Sequence, residues 1–401
     1  MSQARHYEMK DSGVEWIGEM PKDWNIVRFK RMHRGSNVGL SLDKDYWSTN
    51  EDDTVFYTAG LKSIHTSYKD IEPEMLTKEN DLLLARNGTP YVYFPSIGAI
   101  YTDHIIRVGI ENGYNKAFIR YCLQQSIANE VVDTVSIATW SVPIWNRQCL
   151  PHPSLAEQTA IADYLDEKCA AIDAIIAEAK ATIEEYKAWK ASVIFEAVTK
   201  GLNPNAAMKD SGVDIIGMMP EHWSLIRQRF LCKTTTGDHD TQDADPDGQY
   251  PFYVRSPNVE HSNTYTFDGE GILMAGDGVG AGKVFHYATG KIAIHQRVYC
   301  FYDFCKILPR FYFYYMSSLF STEIDKGSAK STVASVRLPM LKDFEISLPP
   351  KDEQEAIVAY LDSKCATIDG VIAEKEALIG ELETYKKSLI FETVTGKRRV
   401  C

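Results

Sequence analysis

Between residues 153 and 199 apolar side chains recur every three or four positions: Ile161, Leu165, Ile172, Ile175, Ala179, Ile183, Tyr186, Trp189 and Val193. That step is the coiled-coil period. Proline is absent from 154 to 203, and Ala, Glu and Lys, all good helix formers, are plentiful. Ser154 with Glu157 three residues on predicts a capping box at the start. The pattern returns at 349–395 with Ile357, Leu361, Ile368, Val371, Leu378, Leu382, Tyr385 and Leu389, at a constant offset of 196 and with no gap. Here Pro350, Asp352 and Glu353 suit a helix start. About 40 residues at 1.5 Å each predict helices of roughly 60 Å. A helix that long with one apolar stripe needs a partner. An intermolecular dimer would satisfy it, but two such stripes in one chain meet at high effective concentration. We therefore expect the two helices to pair with each other, antiparallel, giving the chain an approximate two-fold axis.

A second repeat opens each half. MKDSGVEWIGEMPKDW (9–24) returns as MKDSGVDIIGMMPEHW (208–223), with Trp16 and Trp24, and later Ile215 and Trp223, expected to pack near the helix junctions. Between opener and helix lie two segments, roughly 25–153 and 224–349, that share little beyond short patches. Both read as mixed α/β. DTVFYTAGLKSI, NDLLLARNGTPYVYF and GAIYTDHIIRVGI are strand-like stretches in the first, followed by a helix in NKAFIRYCLQQSIANEVVD. YPFYVRSPNVE, EGILMAGDGVGAGKVFHY and KIAIHQRVYCFY match them in the second, with KILPRFYFYYMSSLFSTEI as its helix. LLLARNG (82–88) aligns with ILMAGDG (272–278) as strand and glycine turn, and His104 and His295 each follow a further strand.

The net charge of -12 argues against nucleic acid when read globally. Its distribution changes the picture. Residues 25–153 and 224–349 each carry 13 Lys+Arg against 14 Asp+Glu, so the excess lies around them. The first helix alone has 5 basic against 9 acidic residues over 154–200. The eight cysteines form no CxxC pair. With no apolar run of membrane length and no apolar leader, a cytoplasmic location is expected.

Familiar chemistry is missing. GDGVGAGKV (276–284) resembles a phosphate cradle, but a P-loop requires Gly where Asp277 stands and Ser or Thr where Val284 stands. A strand, not a helix, is expected after it. No amino-methyltransferase box, nuclease carboxylate run or GxSxG elbow is present. His104 and His295 are isolated, which disfavours a metal. FYFYY (311–315) reads as helix and core.

The opener KDSGVEWIGEMPKDW, the helices EQTAIADYLDEKCAAID and EQEAIVAYLDSKCATID, and the strand–glycine patches resemble the specificity subunit of type I restriction–modification systems. The resemblance runs along nearly the whole chain, in order and in duplicate. It implies two α/β target recognition domains joined by two long helices that pair as an antiparallel coiled coil, with an internal pseudo-two-fold repeat. The expected divisions are 1–153 (opener and first recognition domain), 154–200 (first spacer helix), 201–349 (linker, second opener and second recognition domain) and 350–401 (second spacer helix and tail). Each domain would read one half of a bipartite site in double-stranded DNA. The helices would set the half-site spacing and, with the loop at Gly201–Met208, dock two modification (methyltransferase) subunits; restriction (translocase/nuclease) subunits would join them. The chain itself would be non-catalytic and hold no cofactor, with S-adenosylmethionine and ATP/Mg on the partner subunits. A coiled-coil adaptor that does not bind DNA is the alternative.

Residue type and loop placement nominate the DNA contacts: Lys62, Ser63, Arg86, Asn87, Thr89, Tyr91 and His104 in the first domain, and Arg255, Ser256, Asn258, Asp277, Lys283, His295 and Arg297 in the second. Arg can grip guanine O6/N7, Asn adenine N6/N7, and Asp can accept from cytosine N4. Asn87 and Asp277, each followed by Gly, could instead simply make turns.

Overall fold

The computed structural model describes residues 8–59, 63–130, 138–327 and 335–400. Two compact units divide the chain: Met1–Glu178 with Ala377–Cys401, and Ala179–Glu376. Nine elements frame them: β1 (Asp81–Ala85), β2 (Ile105–Ile110), α1 (Lys116–Ala128), α2 (Leu155–Lys200), β3 (Phe267–Ala275), β4 (Phe285–Ile294), β5 (Val298–Tyr302), α3 (Pro309–Gly327) and α4 (Lys351–Val394).

In the first unit the opener folds as a hairpin, Met9–Asp11 against Glu19–Pro21. The main sheet runs in the order His33–Val38, β2, β1, Val92–Tyr93. β1 is buried along its whole length because both its faces are covered. Leu82 and Leu84 pack with Phe118, Ile119, Cys122 and Leu123 of α1 and with the first half of α2. Leu83 faces the other way, into a small core with Tyr101 and Ile105. A second four-stranded sheet holds Ile100–Tyr101, Thr54–Tyr57, Ser63–Thr66 and Trp47–Ser48.

The second unit repeats the plan. Its opener pairs Met208–Asp210 with Met218–Pro220 in the same register. Its six-stranded sheet is ordered Lys233–Thr236, β5, β3, β4, Tyr250–Tyr253, Val259–Ser262. One sheet here corresponds to two in the first unit, and the registers show why. Val92 and Phe285 hold equivalent places, as do Tyr101 and Ile294. β4 spans that stretch unbroken, whereas the first unit has Pro95 and Gly98 inside it. Proline lacks the N–H a central strand must donate, so the strand breaks in two. The helical stretch with FYFYY folds as α3, and Phe311, Tyr312 and Tyr315 are fully buried in the core, as expected of it.

Ser154 and Glu157 form the expected capping box: the Ser154 N–H donates to the Glu157 carboxylate at 3.0 Å and the Glu157 N–H to Ser154 Oγ at 3.3 Å. Pairing of the long helices is antiparallel within each unit. In the first, Lys386 Nζ lies 2.6 Å from Asp173, while Leu389 and Val394 farther along α4 share a core with Leu165 and Ile161 nearer the start of α2. In the second, Lys190 Nζ lies 2.6 Å from Asp369, and the Val198 carbonyl accepts from Ser347 at 3.2 Å. The seam differs from the expected one by a residue in places. Along α2 the buried set is Leu165, Cys169, Ile172, Ile176, Ala179 and Ile183, alternating fours and threes. Ile175, Trp189 and Tyr385 are about half exposed and Leu378 about a third, while Ile379 packs inward on α4. A strict 3.5-residue step selects Ile176 over Ile175. Leu165 and Leu361 are fully buried, each contributing roughly 1.5–3 kcal/mol by removal from water.

The repeated EQ and YLD patches anchor the α/β part of each unit to these helices. Gln158 Oε1 accepts from the Asn115 N–H at 2.9 Å and Nε2 donates to the Pro153 carbonyl at 3.0 Å. Gln354 Oε1 accepts from the Leu308 N–H at 2.7 Å, and Nε2 donates to the Lys306 and Pro349 carbonyls at 3.0 Å. Asp166 takes the Tyr121 hydroxyl at 2.6 Å with Arg120 beside it; Asp362 takes the Tyr314 hydroxyl at 2.5 Å with Arg310 beside it. The opener tryptophans close the junction, Trp24 Nε1 donating to Glu157 at 3.5 Å and Trp223 Nε1 to Glu353 at 2.9 Å. No helix among the described residues is long and apolar enough to cross a membrane.

Candidate nucleic-acid interface

At the C-terminal end of β1 the chain leaves the sheet through Arg86, Asn87 and Gly88, with Gly88 at φ +73°. β2 begins beside it, so His104 lies next to this turn. The Arg86 N–H donates to the His104 carbonyl at 2.8 Å, and the Asn87 amide donates to His104 Nδ1 at 2.8 Å. Arg86 also donates through Nη1 to the Asp103 carbonyl at 3.2 Å, while its side chain stays exposed. A third segment braces the turn: Thr139 bridges Asn87, and Trp140 Nε1 donates to the Gly88 carbonyl at 2.6 Å. Thr89 is exposed and Tyr91 half-buried against Tyr93 on the same turn. Ser63 is exposed but stands on the other sheet, opposite Tyr57. Lys62 lies outside the described residues.

The second unit builds the same frame. Ala85 pairs with Ile105 and Ala275 with Val298, so Asn87 corresponds to Asp277 and His104 to Arg297. The backbone repeats accordingly: the Gly276 N–H donates to the Arg297 carbonyl at 2.8 Å, and Ser335 bridges Asp277 as Thr139 bridges Asn87. This corrects the sequence alignment of His104 with His295. His295 corresponds to Thr102, since each makes the parallel bridge to the strand edge, Thr102 with Leu40 and His295 with His239. Nearby, a Cβ on Gly39 or Gly237 would lie 2.0 or 1.8 Å from a backbone carbonyl oxygen, so each frame needs glycine there.

His295 is a second correction. It is 3% exposed, stacks on Phe252 and accepts the Arg297 N–H on Nδ1 at 3.0 Å. Burial, helped by the Arg255 charge, holds its pKa below the usual histidine value. A neutral, buried ring with those bonds is a support for the Arg297 turn rather than a surface reader. It lies at the floor of a cleft of about 390 Å³ lined also by Arg255, Ser256, Asp277 and the glycines of 278–280.

Asp277 gathers the arginines. Its Oδ1 accepts from Arg255 Nη1 at 3.0 Å and its Oδ2 lies 3.8 Å from Arg297 Nε. Both guanidiniums remain about half or more exposed. Ser256 Oγ donates to the Asn258 carbonyl at 3.1 Å, making a local turn with Asn258 exposed. Lys283 is exposed at the far end of the glycine turn, which runs into β4 and not into a helix, so 276–284 has the wrong geometry for a nucleotide cradle. Sequence reasoning missed Val279, fully exposed at the tip of that turn, and the bracing residues Thr139 and Ser335. Only the strand registers reveal the bracing pair; the three-residue excess of 276–284 over 86–91 was the available hint of a longer tip.

Residues 220–379 match the family model described as the type I restriction modification DNA specificity domain. The chain is 24% identical to the type I restriction enzyme MjaVIII specificity subunit of Methanocaldococcus jannaschii, over 95% of this chain and 94% of that one. The chain is similar to type I restriction–modification specificity subunits. The type I restriction enzyme EcoDI specificity subunit of Escherichia coli is 27% identical over 45% of this chain. That match spans 40% of the EcoDI protein's own length. Among solved structures, one from a study of complex assembly and conformational transition of the type I R-M system covers 94% of this chain and 99% of its own at a TM-score of 0.69. At 13% identity that likeness shows a shared fold.

Proposed function

We propose that this chain is the non-catalytic DNA-recognition subunit of a type I restriction–modification complex, each unit reading one half of a bipartite duplex site. One observation carries the reading: the same strand-and-turn frame occurs twice, with most of the opener and the Gln and Asp helix anchors repeated, while the exposed residues on the turns differ. A two-part target with unlike halves asks for that division of labour. Phosphate contacts would hold each unit in register and base-edge contacts would specify. Arg86, Asn87, Thr89, Tyr91 and His104 serve the first half-site in this proposal, with Arg255, Ser256, Asn258, Lys283 and Arg297 serving the second. The paired long helices set the half-site spacing. Their exposed faces, with the loop after Gly201, dock the modification subunits, which carry S-adenosylmethionine and methylate adenine. Restriction subunits carry ATP and Mg, and the whole acts in the cytoplasm.

The test is to map methylated adenines across the host genome with and without this gene. A two-part motif that vanishes on deletion is the expected result. An unchanged methylation map, together with no duplex shift by the co-purified chain and methyltransferase, would sink the proposal and favour an adaptor.

A further inference from the structure

The registers that equate Asn87 with Asp277 and His104 with Arg297 place one side-chain pair at the tip of each frame. In the first unit the pair is neutral, an amide donating to an imidazole at 2.8 Å. In the second it is ionic, and Asp277 takes a second guanidinium, Arg255, at 3.0 Å. We infer that these two positions set which base each unit reads, and that Asp277 is a positioning residue that aims Arg255 and Arg297 at guanine. The inference rests on the DNA-recognition function proposed above and assigns its specificity.

Asp277 was expected to accept from cytosine. Its oxygens face guanidiniums instead, Oδ1 in a hydrogen bond to Arg255 at 3.0 Å and Oδ2 within ion-pair range of Arg297 at 3.8 Å, so its charge is engaged within the protein. Within this trio one carboxylate faces two guanidiniums, which leaves a surplus of N–H donors. Guanine offers two acceptors, O6 and N7, in the major groove, and a fixed guanidinium matches them bidentately. The first unit offers different chemistry. After donating one N–H to His104, the Asn87 amide retains a carbonyl acceptor and a second N–H. Adenine N6/N7 requires that couple, one acceptor for its amino group and one donor for N7. Thr139 and Ser335 hold the two turns from the same side, so the pair can change while the frame does not.

The full chain, co-purified with its methyltransferase subunits, is to be challenged with a randomised duplex DNA library and the enriched motif sequenced. R297K keeps the charge and removes the bidentate fork. It should lower the preference for guanine at one position of the second half-site by about 5- to 150-fold and leave the first half-site unchanged. D277A should lower preference at that same position, and D277N, which keeps one acceptor oxygen, should fall between D277A and wild type. Giving the first unit the pair of the second, N87D with H104R, should replace an adenine by guanine in the first half-site alone. The unaltered half-site serves as the folding control inside each variant. An unchanged second half-site in R297K, or an equal loss across all library sequences, overturns the inference; the latter marks a phosphate contact. A wild-type complex that enriches no two-part motif instead overturns the function on which it rests.

Discussion

Replacing Gln354 by Ala tests how the α/β part of the second unit is fastened to its long helix. The side chain is 1% exposed and makes three hydrogen bonds, accepting from the Leu308 N–H and donating to two carbonyls. Each such bond contributes about 0.5–1.5 kcal/mol net, and a buried N–H left unpaired costs about 1–3 kcal/mol. Together these set the expected loss at about 3 kcal/mol, or roughly 6–12 °C in the melting of a unit of this size. Gln158 makes two such bonds in the first unit, so Q158A should cost about 1 kcal/mol less. Q354E adds a sign test. Burial would raise its carboxyl pKa above the unfolded value, so the folded state favours the protonated form. Its stability relative to Q354A should then be greatest at acidic pH and fall as pH rises through the folded pKa. Calorimetry of the full chain with each variant provides the measurement. A loss below 2 °C for Q354A, or a larger loss for Q158A than for Q354A, would refute the reasoning that buried bond count controls this junction.

Truncating Leu361, fully buried in the seam, to Ala should destabilise the second unit by about 2–5 kcal/mol in urea denaturation. Burial lowers the pKa of His295 and of His286, so both are favoured neutral in the fold. Stability from this source is present above the unfolded histidine pKa and is lost as pH falls through the folded values. The second unit should therefore lose melting temperature on acidification, and H295T, which installs the first unit's residue, should flatten that slope. Seven residues added to both α2 and α4 preserve the seam period and lengthen each helix by about 10 Å. The methylated motif should then gain about three base pairs between unchanged half-sites; an unchanged gap would count against the helices as the spacer.

How much of this was legible in the sequence depended on whether the cause was local. The long helices, their capping box and the duplicated opener are written in spacing and residue type, and they stand as read. The seam was read one residue off at Ile175 and Leu378 because each has an apolar neighbour, and over one or two turns a 3.5 step and a 3.6 step choose differently. His104 and His295 looked equivalent because both follow a short strand. Strand pairing equates His104 with Arg297 instead, and pairing is a long-range property that one chain read alone does not display. Gln158 and Gln354 were noted only as part of the repeated EQ motif, and their bonding went unread for the same reason. A glutamine in a helix looks like a solvated residue until the loop that covers it, at Asn115 or Leu308, is in place. Asp277 was identified as a candidate, but its work on two arginines depends on three separate segments meeting.

The first unit is assembled from both ends of the chain, whereas the second is one contiguous stretch, Ala179–Glu376. During synthesis the two therefore mature out of sequence order. The second unit has all its residues once Glu376 is made. The first must wait for Ala377 onward, although most of it was made earlier, a delay of roughly 10–40 s at ordinary translation rates. Throughout that interval Ile161, Leu165, Ile172 and Ile176 lack the end of α4 that covers them. A neighbouring nascent chain carries the same stripe, and exchange of helices between copies is the hazard that follows. Truncation at the far C-terminus should likewise be felt first in the unit that begins at the N-terminus.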